Sequence, residues 1–287
     1  MADAEVQHPF WSKFWKRFRR HRFAVVGGVM LLIFYALAVS APVIAPYDRD
    51  AIDLQNINAS SSWKHPCGTD EVGRDVLTRL LYGGRVSLFL GLLVMGLSVF
   101  LGVVLGALSG YYGGLVDTII MRIVDGMLTI PLLLILMVLA KIMKGNVFGI
   151  GFIIGILSWP GLALLVRGQF LSLREKEFVE AARAIGVNDR AIIFRHILPN
   201  ALAPIVVNAT LTVAGAIAVE SVLSFLGLGI QAPVPSWGNM LQNAQDFIFT
   251  NPTMAYYPGL LILITVLCFN FVGDGLRDAL DPKLSLT

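Results

Sequence analysis

Apolar residues in this chain come in long unbroken runs, with little of the alternation that marks a half-buried surface. The runs lie at about 23–45, 86–108, 115–140, 147–167, 203–226 and 256–276, separated by short polar or Gly/Pro-rich stretches. A bilayer core about 30 Å thick needs about 20 apolar residues of helix to cross it. Backbone N–H and C=O groups find no water there, so each run must satisfy them internally as a helix. The pattern therefore predicts an all-α membrane protein with six transmembrane helices and both termini on one side.

Four stretches break the pattern. Residues 1–22 interleave Phe10, Trp11, Phe14, Trp15 and Phe18 with Lys13, Lys16, Arg17, Arg19 and Arg20. This spacing predicts an amphipathic interfacial helix, with a flexible basic tail as the alternative. Residues 47–70 are polar. The sequence T-D-E-V-G-R-D-V-L-T-R-L-L-Y-G-G then predicts a second amphipathic helix, capped at Thr69 or Asp70 and stopped by Gly83-Gly84. Val72, Val76 and Leu80 share its apolar face, and it is expected to lie on the outer surface before the second span. Residues 23–85 thus form a first span plus outer loop, and 86–287 the core of spans 2–6. The loop Gly227–Met240 is Pro/Gly-rich and uncharged, so it is expected outside the membrane, with Trp237 at an interface. Ser109–Gly114 reads as a tight turn, and Pro131 falls inside the third span.

The fourth break is the most informative. Residues 172–200 place a charged segment, densest between Arg174 and Arg195, inside an otherwise apolar chain. Residues 174–185 favour helix, with Ala181, Ala182 and Ala184 and charge pairs at Lys176/Glu180 and Glu180/Arg183. Gly186 stands where a helix ends in a positive φ. Asn188 is a suitable N-cap for a second short helix, with Asp189 in its first turn. Ile193 and Ile197 share a face of that helix, and Pro199 with Pro204 is expected to limit it. A passive solvated loop would need neither the small-residue face nor the helix-Gly-helix break.

Composition agrees with the membrane class. The chain is 56% hydrophobic and only 14% charged, against about 25% charged in soluble domains. The net charge of +3 reads as asymmetric loop charge, not as a nucleic-acid surface. Residues 1–22, 109–114, 167–202 and 277–287 hold 14 Lys/Arg, against 7 in residues 46–85, 141–147 and 227–255. The richer side is cytoplasmic by the positive-inside rule, which puts both termini and residues 172–200 in the cytoplasm. Arg17–Arg22 before an apolar run resembles a secretory leader, but 23–41 is near spanning length and lacks a clear cleavage site.

The chemistry of catalysis is missing. There is no G-x4-G-K-[ST] phosphate loop. His8, His21, His65 and His196 are scattered, with no ligand spacing for a metal. Cys67 and Cys268 fall in different environments and predict no disulfide. No catalytic or metal site is expected. Ionisable groups inside spans are the functional candidates. Arg122 and Asp125, at i and i+3, read as a structural ion pair near the cytoplasmic interface. Glu220 must escape lipid, and facing a translocation pathway, contacting a partner or reaching the interface would each achieve this. Asn208 and Thr210 either line the same pathway or bridge helices. The G-x3-G repeat at Gly102, Gly106 and Gly110 predicts close helix packing.

E-A-A-x3-G-x9-H-I-L-P resembles the EAA motif of permease subunits of ATP-binding-cassette importers. The matching positions are Glu180, Ala181, Ala182, Gly186, Leu198 and Pro199. His196 stands where the general motif more often has Ile, and H-I-L-P-N is similar to the dipeptide/oligopeptide/nickel branch. H-P-C-G-T-D-E-V-G-R-D-V-L-T-R, L-S-F-L-G-L-G-I-Q-A-P-V-P-S-W-G and G-D-G-L-R-D-A-L-D-P-K resemble that branch in the same order, framing residues 65–283. The resemblance implies a type I importer architecture with a cytoplasmic coupling helix that docks in an ATPase subunit. It implies a bacterial or archaeal cell membrane and a second, homologous permease as partner. Two ATPase subunits carrying ATP and Mg, and an extracytoplasmic solute-binding protein, complete the implied assembly. This chain itself would bind no cofactor. Peptide cargo is expected; nickel chelates, glutathione or oligosaccharides are the alternatives within the branch. A secondary transporter and a membrane-embedded enzyme are rivals from other classes. They would need an inverted repeat and a reactive constellation respectively, and the sequence shows neither.

Overall fold

A computed structural model describes residues 10–143 and 145–280, with the side chains of 10–13 outside the description. The expectations for residues 1–9, including His8, for Lys144 and for the D-P-K tail lie outside the described residues. The described chain is helical, and its one β contact is an isolated antiparallel bridge between Thr69 and Asp75. We number the principal helices α1 (Phe10–Arg20), α2 (Arg22–Ile44), α3 (Val76–Tyr112), α4 (Gly114–Thr129), α5 (Leu132–Ile142), α6 (Val147–Leu157) and α7 (Trp159–Leu173). They continue as α8 (Glu177–Ala184), α9 (Asp189–Phe225), α10 (Trp237–Asn243) and α11 (Thr253–Leu280).

Among the described residues, five helical stretches are long and apolar enough to cross a membrane: α2, α3, α6–α7 together, α9 and α11. The pair α4 and α5 supplies the sixth as a broken span, bent by 86°. The bend has a local cause. Ile130 precedes Pro131 and is pushed to an extended backbone (φ −96°, ψ 129°), as the steric demand of a proline ring requires. The sequence located this proline but not the size of the turn.

α3 differs from expectation. The predicted surface helix and the second span are one continuous helix of 37 residues, starting at Val76. Its N-cap is Asp75, whose carboxylate accepts from the Thr78 N–H at 2.8 Å; neither Thr69 nor Asp70 caps it. Gly83 and Gly84 do not stop it. They leave room for Trp237, whose ring would lie 3.0 Å from a Cβ at Gly84. Trp237 is therefore buried between helices, donating its Nε1–H to the Leu80 carbonyl at 3.0 Å.

Inside the bundle α3 packs against α7, α9, α6 and α2. The glycine stripe sets the closest approach. A Cβ at Gly106 would lie 2.6 Å from the Ala163 carbonyl oxygen, and one at Gly110 would lie 2.7 Å from that of Arg167. α11 crosses α9 and α2, and α1 folds back on α11 with its Phe18 ring against Gly275.

Candidate functional site

The charged segment folds into α8, a glycine turn and the start of α9. α8 has Glu177 and Glu180 in its first turn and Arg183 in its last, which suits the helix dipole. Its end is a Schellman closure. Val187 N–H reaches the Ala182 carbonyl and Gly186 N–H reaches that of Arg183, both at 3.0 Å, around a Gly186 at φ +79°. No atom lies within 4 Å of where a Gly186 Cβ would stand, so the backbone angle alone requires glycine here. Asn188 then caps α9, its side chain accepting from the Ala191 N–H at 2.8 Å.

The E-A-A triplet divides between two faces. Val179 and Ala182 are buried in a core with Tyr111, Phe170, Ile192, Ile193 and Ile197. Glu180 and Ala181 point away from it and are exposed, as is Ile185 at 81%. Ala182 is therefore small because its own chain crowds it, and the outward face belongs to Glu180 and Ala181.

The two prolines do not end the second helix. α9 passes through a π-helical turn at Ile192–Ile197, where the Leu198 N–H bonds back to the Ile193 carbonyl. Pro199 then occupies the first turn of the α-helical part, and Pro204 lies within it. The wider turn rearranges the hydrogen-bond ladder where Pro199 has no N–H to give. His196 and Leu198 are half-buried on this turn, and Pro199 is exposed.

Charged side chains tie this segment to the α3–α4 corner. Tyr111 Oη donates to Asp189 Oδ1 at 2.6 Å, and the Arg183 guanidinium sits 5.5 Å from the Tyr111 ring centre. Arg174 donates to the Gly110 and Tyr111 carbonyls at 3.3 Å, at the C-terminal end of α3. Arg167 of α7 grips Asp117 of α4 with two bonds of 2.5 and 2.6 Å, and Ser109 adds a third at 2.5 Å. Sequence reading missed this set. Its sequence signal is confined to Asp117 and Arg167, which stand at the start and end of apolar runs.

At the opposite end of the bundle, Glu220 is 0% exposed. It escapes lipid inside its own chain and does not face an open pathway. The Ser224 and Ser236 hydroxyls donate to its Oε1 at 2.7 and 2.9 Å. Ser224 and Ser236 in turn accept from the Ile230 and Asn239 N–H groups at 3.1 Å. The Trp237 N–H donates to Ser87 of α3 at 3.2 Å. This network pins residues 227–239 against the helix bundle, so part of that loop is a buried plug.

Beyond it, residues 65–79 form a compact polar knot. His65 bonds Asp75 at 2.9 Å, Arg74 bonds Asp70 at 2.6 Å and Glu71 at 2.8 Å, and Asn243 reaches Glu71 at 3.1 Å. Partial burial, and then the neighbouring Asp70 charge, push the Glu71 carboxyl above its ordinary value.

The remaining candidates are more open. Arg122 and Asp125 stand 3.8 Å apart on an exposed face of α4. Asn208 lines a cleft of about 740 Å³ between α7, α9 and α11, whose wall includes Gln169, Ser172, Pro204, Leu211 and Arg277. Thr210 is half-buried and bonds the Val207 carbonyl at 2.7 Å within its own helix.

Residues 102–286 match the family described as binding-protein-dependent transport system inner membrane component. The chain belongs to this family. Residues 9–60 match the N-terminal TM domain of oligopeptide transport permease C. The glutathione transport system permease protein GsiD of Pectobacterium atrosepticum is 42% identical over 99% of this chain and 94% of its own length. The dipeptide transport system permease protein DppC of Alkalihalophilus pseudofirmus is 41% identical over 96% and 90%. A chain from inward-facing conformations of the MetNI methionine ABC transporter superposes with a TM-score of 0.56 at 20% identity, covering 72% of this chain and 97% of that one. The protein is thus a multi-pass, non-catalytic permease subunit of an ATP-binding-cassette importer, with the transmembrane fold of that class.

Proposed function

We propose that this chain forms half of a conduit for dipeptides or oligopeptides delivered by an extracytoplasmic binding protein. The other half is a second, homologous permease. Two separate ATPase subunits hold ATP and Mg and engage residues 172–200 from the cytoplasm, where both termini also lie. The observation that carries this reading is the outward Glu180/Ala181 face, displayed on a helix clamped to the α3–α4 corner. A helix so clamped transmits a push on its exposed face to α3, α4 and α7 together. Gly186, His196, Leu198 and Pro199 shape the turn and the root of α9 behind it. Glutathione is the second cargo reading, because the glutathione permease above is as similar as the dipeptide one.

Replacing Ala181 by Trp should overpack the docked surface by about 1–3 kcal/mol without disturbing the bundle, since Ala181 touches solvent here. Gly186→Val should redirect α9 through its disfavoured φ. In proteoliposomes holding the whole complex, binding-protein-stimulated ATP turnover and peptide uptake should fall together, or the ATPases should dissociate. Wild-type uptake by both variants would leave the segment a mere linker.

A further inference from the structure

The cleft beside Asn208 contains an uncommon set of groups for a transmembrane bundle. Its walls are apolar, including Pro204 and Leu211, yet Gln169, Ser172 and Asn208 bring two amides and a hydroxyl to it. Arg277 is the one charged residue of its lining. Among the described residues no carboxylate lies within 4.0 Å of the Arg277 guanidinium, while its neighbour Asp278 is directed to His21 at 4.0 Å. A guanidinium offers a planar fork that matches a carboxylate. The volume of about 740 Å³ is in the range of small-molecule sites, roughly 300–1,000 Å³. Ser172 ends the span that leads into α8, and Asn208 lies about 14 Å along α9 from Pro199 at 1.5 Å per residue. The cleft therefore opens in the half of the bundle nearer α8.

We propose that this cleft is a transit site on the cytoplasmic half of the conduit. In it Arg277 takes the terminal carboxylate of a short peptide, and Gln169, Ser172 and Asn208 take the peptide's amide groups. The site rests on the peptide-import reading above and adds to it a residue that recognises the end of the cargo. Its apolar walls tolerate varied side chains, because recognition falls on groups that every short peptide shares. Placing a cation at the exit side attracts the carboxylate towards the cytoplasm without enclosing it.

The test uses the complete complex in proteoliposomes with Ala203→Cys, at a small residue of the cleft lining, and Cys67→Ser; Cys268 is buried. The rate of labelling by a water-soluble maleimide is read with added dialanine or its C-terminal amide. Dialanine should slow labelling and the amide should not. Adding Arg277→Gln should raise the half-protecting dialanine concentration by about tenfold or more, the loss expected for a hydrogen bond to a charged group. Arg277→Lys should restore part of the protection. Equal protection by both peptides, no protection by either, or protection unchanged in Arg277→Gln would overturn the proposal. ATP-driven dipeptide uptake by the unmodified complex is measured alongside. Its absence would defeat the peptide-import reading, whereas uptake with no protection would defeat this site alone.

Discussion

Among the described residues Glu220 has no ion-pair partner; its buried carboxyl group is held by hydroxyl groups that are themselves anchored to backbone. Its removal would orphan the Ser224 and Ser236 hydroxyls in a buried place. Each buried polar group left without a partner costs about 1–3 kcal/mol. Glu220→Leu should therefore lower the melting temperature of the purified chain clearly, while Glu220→Gln, which still accepts from both serines, should stay near wild type. Equal melting of the two variants would remove the network from the stability of the plug. Glu71 offers a second test. Its folded-state pKa is raised, so the folded chain binds this proton more tightly than the unfolded chain does. Its contribution to stability is full below the ordinary value of 4.5 and is lost as pH rises through the raised value. Glu71→Gln should flatten this part of the melting curve measured from acid to neutral pH; an unchanged slope would assign it to another group.

At the level of elements, one glycine stripe shows how a motif becomes a contact. Gly106 faces the Ala163 backbone at a distance no Cβ tolerates, whereas a Cβ on Gly96, on the same helix, would meet nothing within 4 Å. Gly106→Ala should cost about 1–3 kcal/mol by overpacking. Gly96→Ala should be neutral or slightly stabilising through helix propensity. Comparable losses in both, read by thermal unfolding in detergent, would contradict the packing account. The coupling segment is an element of a different kind, short and dependent on its clamps. Tyr111→Phe and Asp189→Ala should each weaken it, and a double-mutant cycle on stimulated ATP turnover should show coupling of about 0.5–3 kcal/mol between them. Additive effects would mean that the hydrogen bond does not join α3 to α9.

Across the whole molecule, α3 and α9 are each 37 residues, about 56 Å of helix at 1.5 Å per residue, against a bilayer core of about 30 Å. They run in opposite directions, since the C-terminal end of α3 meets the N-terminal end of α9 at Tyr111 and Asp189. Their ends therefore lie side by side, and both helices are longer than the core. α3 carries the polar knot of residues 65–79 on one side, and α9 carries α8 on the other. Trp63 and Ile185 are both strongly exposed at these opposite ends. Cysteines placed there should label from opposite faces of sealed vesicles, with Ile185→Cys reached from the cytoplasm. Labelling of both from one face would overturn the topology.

The sequence by itself determined the properties that need only near neighbours. Run length located the spans, Gly186 and Asn188 marked the turn before α9, and the glycine repeat announced a tight contact. It also held the family, because the motifs framing residues 65–283 are local strings. Only the tertiary structure decided what those features meet. It joined 76–85 to the second span, since Gly83 and Gly84 are spaces for Trp237 about 150 residues away. It also turned Ala182 inward and Ala181 outward, and it buried Glu220 among serines from three segments. The reason is physical. Helix formation and termination depend on groups within one or two turns. The partner that fills a space or bonds a buried polar group is chosen by packing among distant segments, which local periodicity does not encode.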